Sequence, residues 1–79
     1  MSPTIARIGP YRFFFFASDY VEPPHVHVER ERAVAKFWLD PVGMAYSRLF
    51  PAHELRKIRA IVVERADEFL EAWDEFFRR

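Results

Sequence analysis

The apolar periodicity of this chain changes once, at Phe50-Pro51, and that change limits the possible folds more than any other feature. After it, Leu55, Ile58, Val62, Ala66, Phe69, Leu70, Trp73, Phe76 and Phe77 recur at steps of three and four. Such spacing lines one face of a helix, whereas a period of two sends alternate residues to opposite faces of a strand. Pro51 suits a first helical turn, where its missing N–H is not needed. Before the change, short aromatic and β-branched runs are separated by turn residues. The expected fold is α+β: a small antiparallel sheet of four to five strands packed against a C-terminal amphipathic helix or helix pair. One domain spans 1–79, strand-rich over 1–50 and helical over 51–79.

The strand half divides at its turn residues. Residues 4–8 read as a first strand, Gly9-Pro10 as a turn, and 11–18 as an aromatic strand; 25–31 and 33–39 follow. A bend or tight hairpin is expected around Arg30 to Arg32, although no Gly, Asn or Asp marks it. Asp40-Pro41-Val42-Gly43 carries Pro at the second turn position and Gly at the fourth, the pattern of a type I turn, and should lead into a strand over 44–49.

In the helical half, Arg56, Lys57 and Arg59 come early and Asp67, Glu68, Glu71, Asp74 and Glu75 late. That order opposes the helix macrodipole by about 0.3–1 kcal/mol per charge. A break near Ala66-Asp67 or a merely solvated face is the expected explanation; a basic cluster that contacts a ligand is the alternative.

A chain of 79 residues without cysteine must be held by packing alone, and 9 Phe, 2 Trp and 3 Tyr supply the apolar material. Disulfides and thiolate metal sites are excluded, and the absence of cysteine fits a reducing cytoplasm. The first residues carry no apolar signal core, and the Phe13 to Phe16 run is too short for a bilayer, so a cytoplasmic protein without membrane contact is expected. Twelve basic and twelve acidic residues give a formal net charge of +0, which argues against broad electrostatic binding of nucleic acid but permits a local patch. Two glycines leave no Gly-rich phosphate loop.

Both sides of the aromatic strand are apolar: Tyr11, Phe13 and Phe15 point one way, Phe14 and Phe16 the other. One helix layer covers one face. The second calls for a homo-oligomer or a small partner protein, and Trp38 and Tyr46 are candidates for that same face. With arginines nearby, the alternative is a base-stacking platform for RNA.

The chemistry centres on Glu22-Pro23-Pro24-His25-Val26-His27-Val28. On a strand, His25 and His27 share one face while Val26 and Val28 take the other, so the valines anchor a core and the histidines are expected on display after a rigid turn. Three uses are open. With Asp19 orienting a ring, His25 and His27 are candidate catalytic acid and base of a metal-free ribonuclease-like phosphodiester hydrolase, with Arg12, Arg30 and Arg48 as candidate phosphate or RNA contacts. Side chains two apart on a strand, with Cα atoms about 6.6 Å apart, could, however, sit on one side of a phosphate rather than flank it. The pair could instead hold Zn²⁺, completed by Asp19, Glu22, Glu29 or His53, although none of these has a diagnostic spacing and no cofactor is the default expectation. Or the histidines only stabilise the turn of a homo-oligomeric interaction domain, one ring donating to a backbone carbonyl or to Asp19 and the other stacking on an aromatic side chain.

The order Pro3-Thr4-Ile5, aromatic strand, Asp19, Pro23-Pro24-His25-x-His27-Val28, two further strands and a helix bearing Trp73 resembles the domain of unknown function 4160 family of small bacterial proteins. The resemblance spans essentially the whole chain. Its hallmark positions fall here on Asp19, Pro23, Pro24, His25, His27 and Trp73. It implies a compact α+β domain with no assigned activity, commonly encoded beside another small protein, which has prompted toxin–antitoxin proposals. The expectation that follows is a protein- or RNA-interacting component of a toxin–antitoxin-like two-gene module using the Asp19/His25/His27 turn. One departure is visible: relatives often carry Gly in the turn after the histidine strand, where this chain has Glu29-Arg30-Glu31-Arg32.

Overall fold

The computed structural model describes residues 3–78. Five strands, β1 (Thr4–Ile8), β2 (Tyr11–Phe14), β3 (His25–Arg30), β4 (Ala33–Leu39) and β5 (Val42–Arg48), form one antiparallel meander in chain order, and a single helix α1 (Ala52–Phe76) follows. The α+β expectation holds, with five strands and one helix. Among the described residues no helix is long and apolar enough to cross a membrane.

The helix is continuous: of the expected explanations for its charge order the break near Ala66-Asp67 is absent and the solvated face is found, with Asp67, Glu68, Glu71, Asp74 and Glu75 exposed. Its stripe explains why. Ile58, Val62, Phe69 and Trp73 are buried along its length, with Leu55, Ile61 and Leu70 packed beside them, and no Gly or Pro interrupts. Burying each large side chain gains about 1.5–3 kcal/mol, more than an unfavourably placed surface charge loses to the macrodipole. The helix lies on the face carrying Tyr11, Phe13 and Phe15, with Phe13 against Phe69 at 5.3 Å and Phe15 against Trp73 at 5.4 Å between ring centroids.

The aromatic strand is shorter than the expected 11–18. It ends at Phe14, and a 3₁₀ segment occupies Ala17–Val21. The cause is local: the Phe16 N–H donates to Asp19 Oδ2 at 2.7 Å, and the Asp19 N–H returns to the Phe16 carbonyl at 3.0 Å, so Phe16 is turned out of the ladder. The β4–β5 turn also differs from the expectation. Leu39 pairs with Val42, so the loop is Asp40-Pro41, joined by a cis peptide, with Pro41 at the third turn position and Gly43 already in β5 opposite Trp38. One extra residue, Ala45, sits between the Lys36–Tyr46 and Phe37–Met44 pairs and bulges that edge.

The unmarked hairpin after β3 is tight, as expected. Arg30 pairs with Ala33, and Glu31 takes φ 56°. The left-handed region strains an L side chain by roughly 1–2 kcal/mol, while glycine loses about 0.4–1 kcal/mol through the unfolded chain. Glu31→Gly is therefore expected to stabilise the protein by about 0.5–1 kcal/mol, read as a higher denaturation midpoint at unchanged slope.

One polar clamp fastens the helix start to the sheet. Glu54 accepts from Arg30 Nε at 2.9 Å, Arg30 Nη2 at 2.6 Å and Tyr11 Oη at 2.9 Å. The Arg30 hydrogen bond holds the Glu54 carboxyl below its ordinary pKa against the opposing effect of burial, with Tyr11 adding to the depression. Burial, and then the Glu54 carboxylate, push the Tyr11 phenol up. Because the folded pKa of Glu54 is depressed, its contribution is complete above the unfolded value near 4.3 and is lost as pH falls through the folded value. Glu54→Gln should lower the melting temperature at pH 7 and flatten its decline between about pH 5 and 3, measured by thermal melts across that range.

Candidate functional site

Strand register sets the second face of the sheet. His27 lies opposite Phe14 on β2 and Lys36 on β4, His25 opposite Trp38, and Lys36 opposite Tyr46 on β5, so all these side chains share the face that α1 leaves open. Trp38 and Tyr46 thus fall where the sequence suggested.

The histidines are not displayed as expected. His25 is fully buried and His27 retains 17% of its side-chain exposure. The 3₁₀ segment brings Asp19 over them, while Trp38 and Trp73 enclose His25 at ring separations of 5.6 and 5.2 Å. Phe14 stacks on His27 at 5.4 Å and Phe16 meets it edge-on at 4.7 Å.

Asp19 is the hub of this cluster. Its carboxylate is nearly buried and lies 3.0 and 3.2 Å from His27 Nε2 and 3.1 Å from His25 Nε2, besides accepting the Phe16 N–H. Burial alone would raise the Asp19 pKa; the Phe16 N–H and then the His27 imidazole outweigh it, and the carboxyl is held below its usual value. Burial lowers the His27 pKa, with the Asp19 hydrogen bond and charge opposing only in part. A neutral His27 carries its hydrogen on Nε2 and donates it to Asp19.

His25 is arranged differently. Its Nδ1 donates to the Pro23 carbonyl at 2.9 Å, fixing the ring through the turn that Pro23-Pro24 builds. Its Nε2 is buried without a well-directed hydrogen bond: Asp19 Oδ1 is within ion-pair distance but off the line such a bond requires. Both ring nitrogens therefore face the protein interior, and of the expected acid–base pair His27 is the ring that meets the surface.

The expected phosphate contacts do not converge on this cluster. Arg12 lies over the Phe14 ring at 4.3 Å and is bonded to Glu29 at 2.9 Å and Thr4 at 2.6 Å. Arg30 is held by Glu54 on the helix side of the sheet, and Arg48 is exposed at the end of β5. Of the ligands proposed to complete a metal site, Asp19 joins the histidines. Glu29 pairs with Arg12, Glu22 pairs with Lys36 at 2.6 Å, and His53 is exposed at the start of α1. The expected backbone carbonyl is that of Pro23 and the expected stacking partner is Phe14 on His27; sequence reasoning missed the Phe16 N–H on Asp19, because a main-chain partner leaves no residue-type signal.

Beside His27 the open face dips into a groove of about 320 Å³ lined by Phe14, Phe16, His27, Val34, Lys36 and Tyr46 among others. Phe16 is 44% and Tyr46 51% exposed.

Fold and site together define a small one-helix, five-stranded α+β domain whose open sheet face ends in a buried Asp-His-His cluster. The family model described as Domain of unknown function (DUF4160) matches residues 11–74, and the chain belongs to that family. No curated protein and no solved structure matches it.

Proposed function

We propose that this protein is the protein-interacting member of a toxin–antitoxin-like two-gene module, and that its partner covers the open sheet face beside the Asp19–His27 pair. The observation that carries the reading is the groove, where Phe16 and Tyr46 flank an apolar floor on the face opposite α1. Aromatic side chains of this kind are enriched at protein interfaces. Charge favours a protein over RNA. Arg12 and Lys36 on this face are each paired with a glutamate, and Arg30 is on the other side. Family members are commonly encoded beside another small protein, which supplies the partner to test.

The test is co-expression with the adjacently encoded small protein, followed by mass measurement in solution. Wild type should form a stoichiometric complex. Phe16→Glu/Tyr46→Glu should lose it while melting within a few degrees of wild type, since both side chains are substantially exposed. A complex that survives the double variant would place the partner elsewhere. A wild-type protein that associates only with itself, or that elutes with RNA, would replace the proposed occupant.

A further inference from the structure

We propose that Asp19, His25 and His27 form a binding site for a divalent first-row transition metal ion, with Zn²⁺ as its reference ligand. One carboxylate oxygen and one nitrogen from each imidazole lie within 4.8 Å of one another. A bound Zn²⁺ has ligand distances of about 2.0–2.1 Å, so adjacent ligands in tetrahedral to octahedral arrangements stand about 2.9–3.4 Å apart. Asp19 Oδ1 stands 3.1 Å from His25 Nε2 and 3.2 Å from His27 Nε2, and both separations have that edge length. His27 is the more exposed of the two rings, and metal binding requires it to turn toward His25 where the nitrogen–nitrogen distance exceeds that edge.

The second, independent observation is His25. A neutral ring that donates from Nδ1 to the Pro23 carbonyl carries a lone pair on Nε2, and here that lone pair is buried beside a carboxylate oxygen, acceptor against acceptor. A cation between them satisfies both. The Pro23 contact is also the arrangement found at metal-bound histidines, whose second nitrogen donates to a carbonyl or carboxylate that fixes the ring. Two imidazoles and one carboxylate suit Zn²⁺ or Fe²⁺ better than Ca²⁺ or Mg²⁺, which prefer oxygen. Three protein ligands leave a coordination position open, and His27, which also lines the groove, is the side from which water or a further donor reaches it.

The experiment is titration of untagged, chelator-stripped protein with Zn²⁺, by calorimetry and thermal melting, alongside Asp19→Asn, His27→Ala and the control His53→Ala. The expected result is saturable binding of one ion per chain and a raised melting temperature, with affinity at least tenfold weaker in Asp19→Asn and His27→Ala and unchanged in His53→Ala. Absence of saturable binding overturns the site. So does binding that persists in both cluster variants or disappears with His53. If the variants fail to fold, imidazole ¹⁵N spectra of the wild type decide: Zn²⁺ must shift Nε2 of both His25 and His27, and unshifted resonances refute the assignment.

Discussion

Phe69→Ala is expected to remove about 3–5 kcal/mol of stability, the largest loss from any single truncation on α1. Phe69 is 1% exposed and packs against Phe13 on β2, itself fully buried, so the truncated space is enclosed by β2 on one side and helix backbone on the other. Neither can collapse into it without moving the helix off the sheet. A domain of this length has a total stability of about 4–12 kcal/mol, so the variant should be partly unfolded at 37 °C. Chemical denaturation of wild type and Phe69→Ala gives the difference directly. A loss below about 1 kcal/mol would mean that the helix is not held through this contact. The exposed Val63 on the same helix should tolerate alanine within about 0.5 kcal/mol.

The fold was legible because its major elements announce themselves through period. The stripe from Leu55 to Trp73 has one reading, and the strand edges at Thr4, Ile8, Tyr11, His25, Ala33 and Leu39 follow from turn residues and alternation. The misreadings share a cause: a competing hydrogen bond, or a packing energy that composition cannot display. Phe15 and Phe16 are as β-prone as Phe13, but the Asp19 carboxylate takes the Phe16 N–H and ends the ladder. The charge order on α1 left a break or a solvated face open, and the buried stripe keeps the helix whole with its late acids exposed. The Asp40-Pro41 loop follows from the pairing of Leu39 with Val42 rather than from the turn residues alone.

The site was legible as a set of residues and not as an environment. Asp19, His25 and His27 were nominated from spacing and from the family pattern, and they do meet. Alternation correctly placed the two histidines on the face opposite Val26 and Val28, but a face is not an exposure. Trp38 from the next strand and Trp73 from 48 positions farther along the chain enclose His25, a consequence of tertiary packing that a local pattern does not encode. The arginines do not gather at the site for the converse reason. Each is plausible from composition, but Glu29 and Glu54 engage Arg12 and Arg30 once the strands are in register.

The second large expected effect concerns Asp19 and rests on opposing contributions. Asp19→Ala leaves the Phe16 N–H without its 2.7 Å acceptor and removes the carboxylate from His27, two hydrogen bonds to a charged group worth about 1.5–3 kcal/mol each. It also relieves the unfavourable approach of His25 Nε2 to Asp19 Oδ1. Because the Phe16 bond also ends β2 and starts the 3₁₀ segment, the losses should win, and Asp19→Ala should be less stable by about 2–4 kcal/mol in metal-free buffer. Asp19→Asn separates the contributions. Its amide oxygen can still accept from Phe16 and from His27 Nε2, and it carries no negative charge beside His25 Nε2, so its loss should be about 1 kcal/mol or less. Denaturation curves of both variants, with and without Zn²⁺, read the result. An alanine variant as stable as wild type without metal would show that Asp19 does not hold the turn. An asparagine variant as unstable as the alanine one would show that the negative charge, rather than the acceptor geometry, keeps this corner folded.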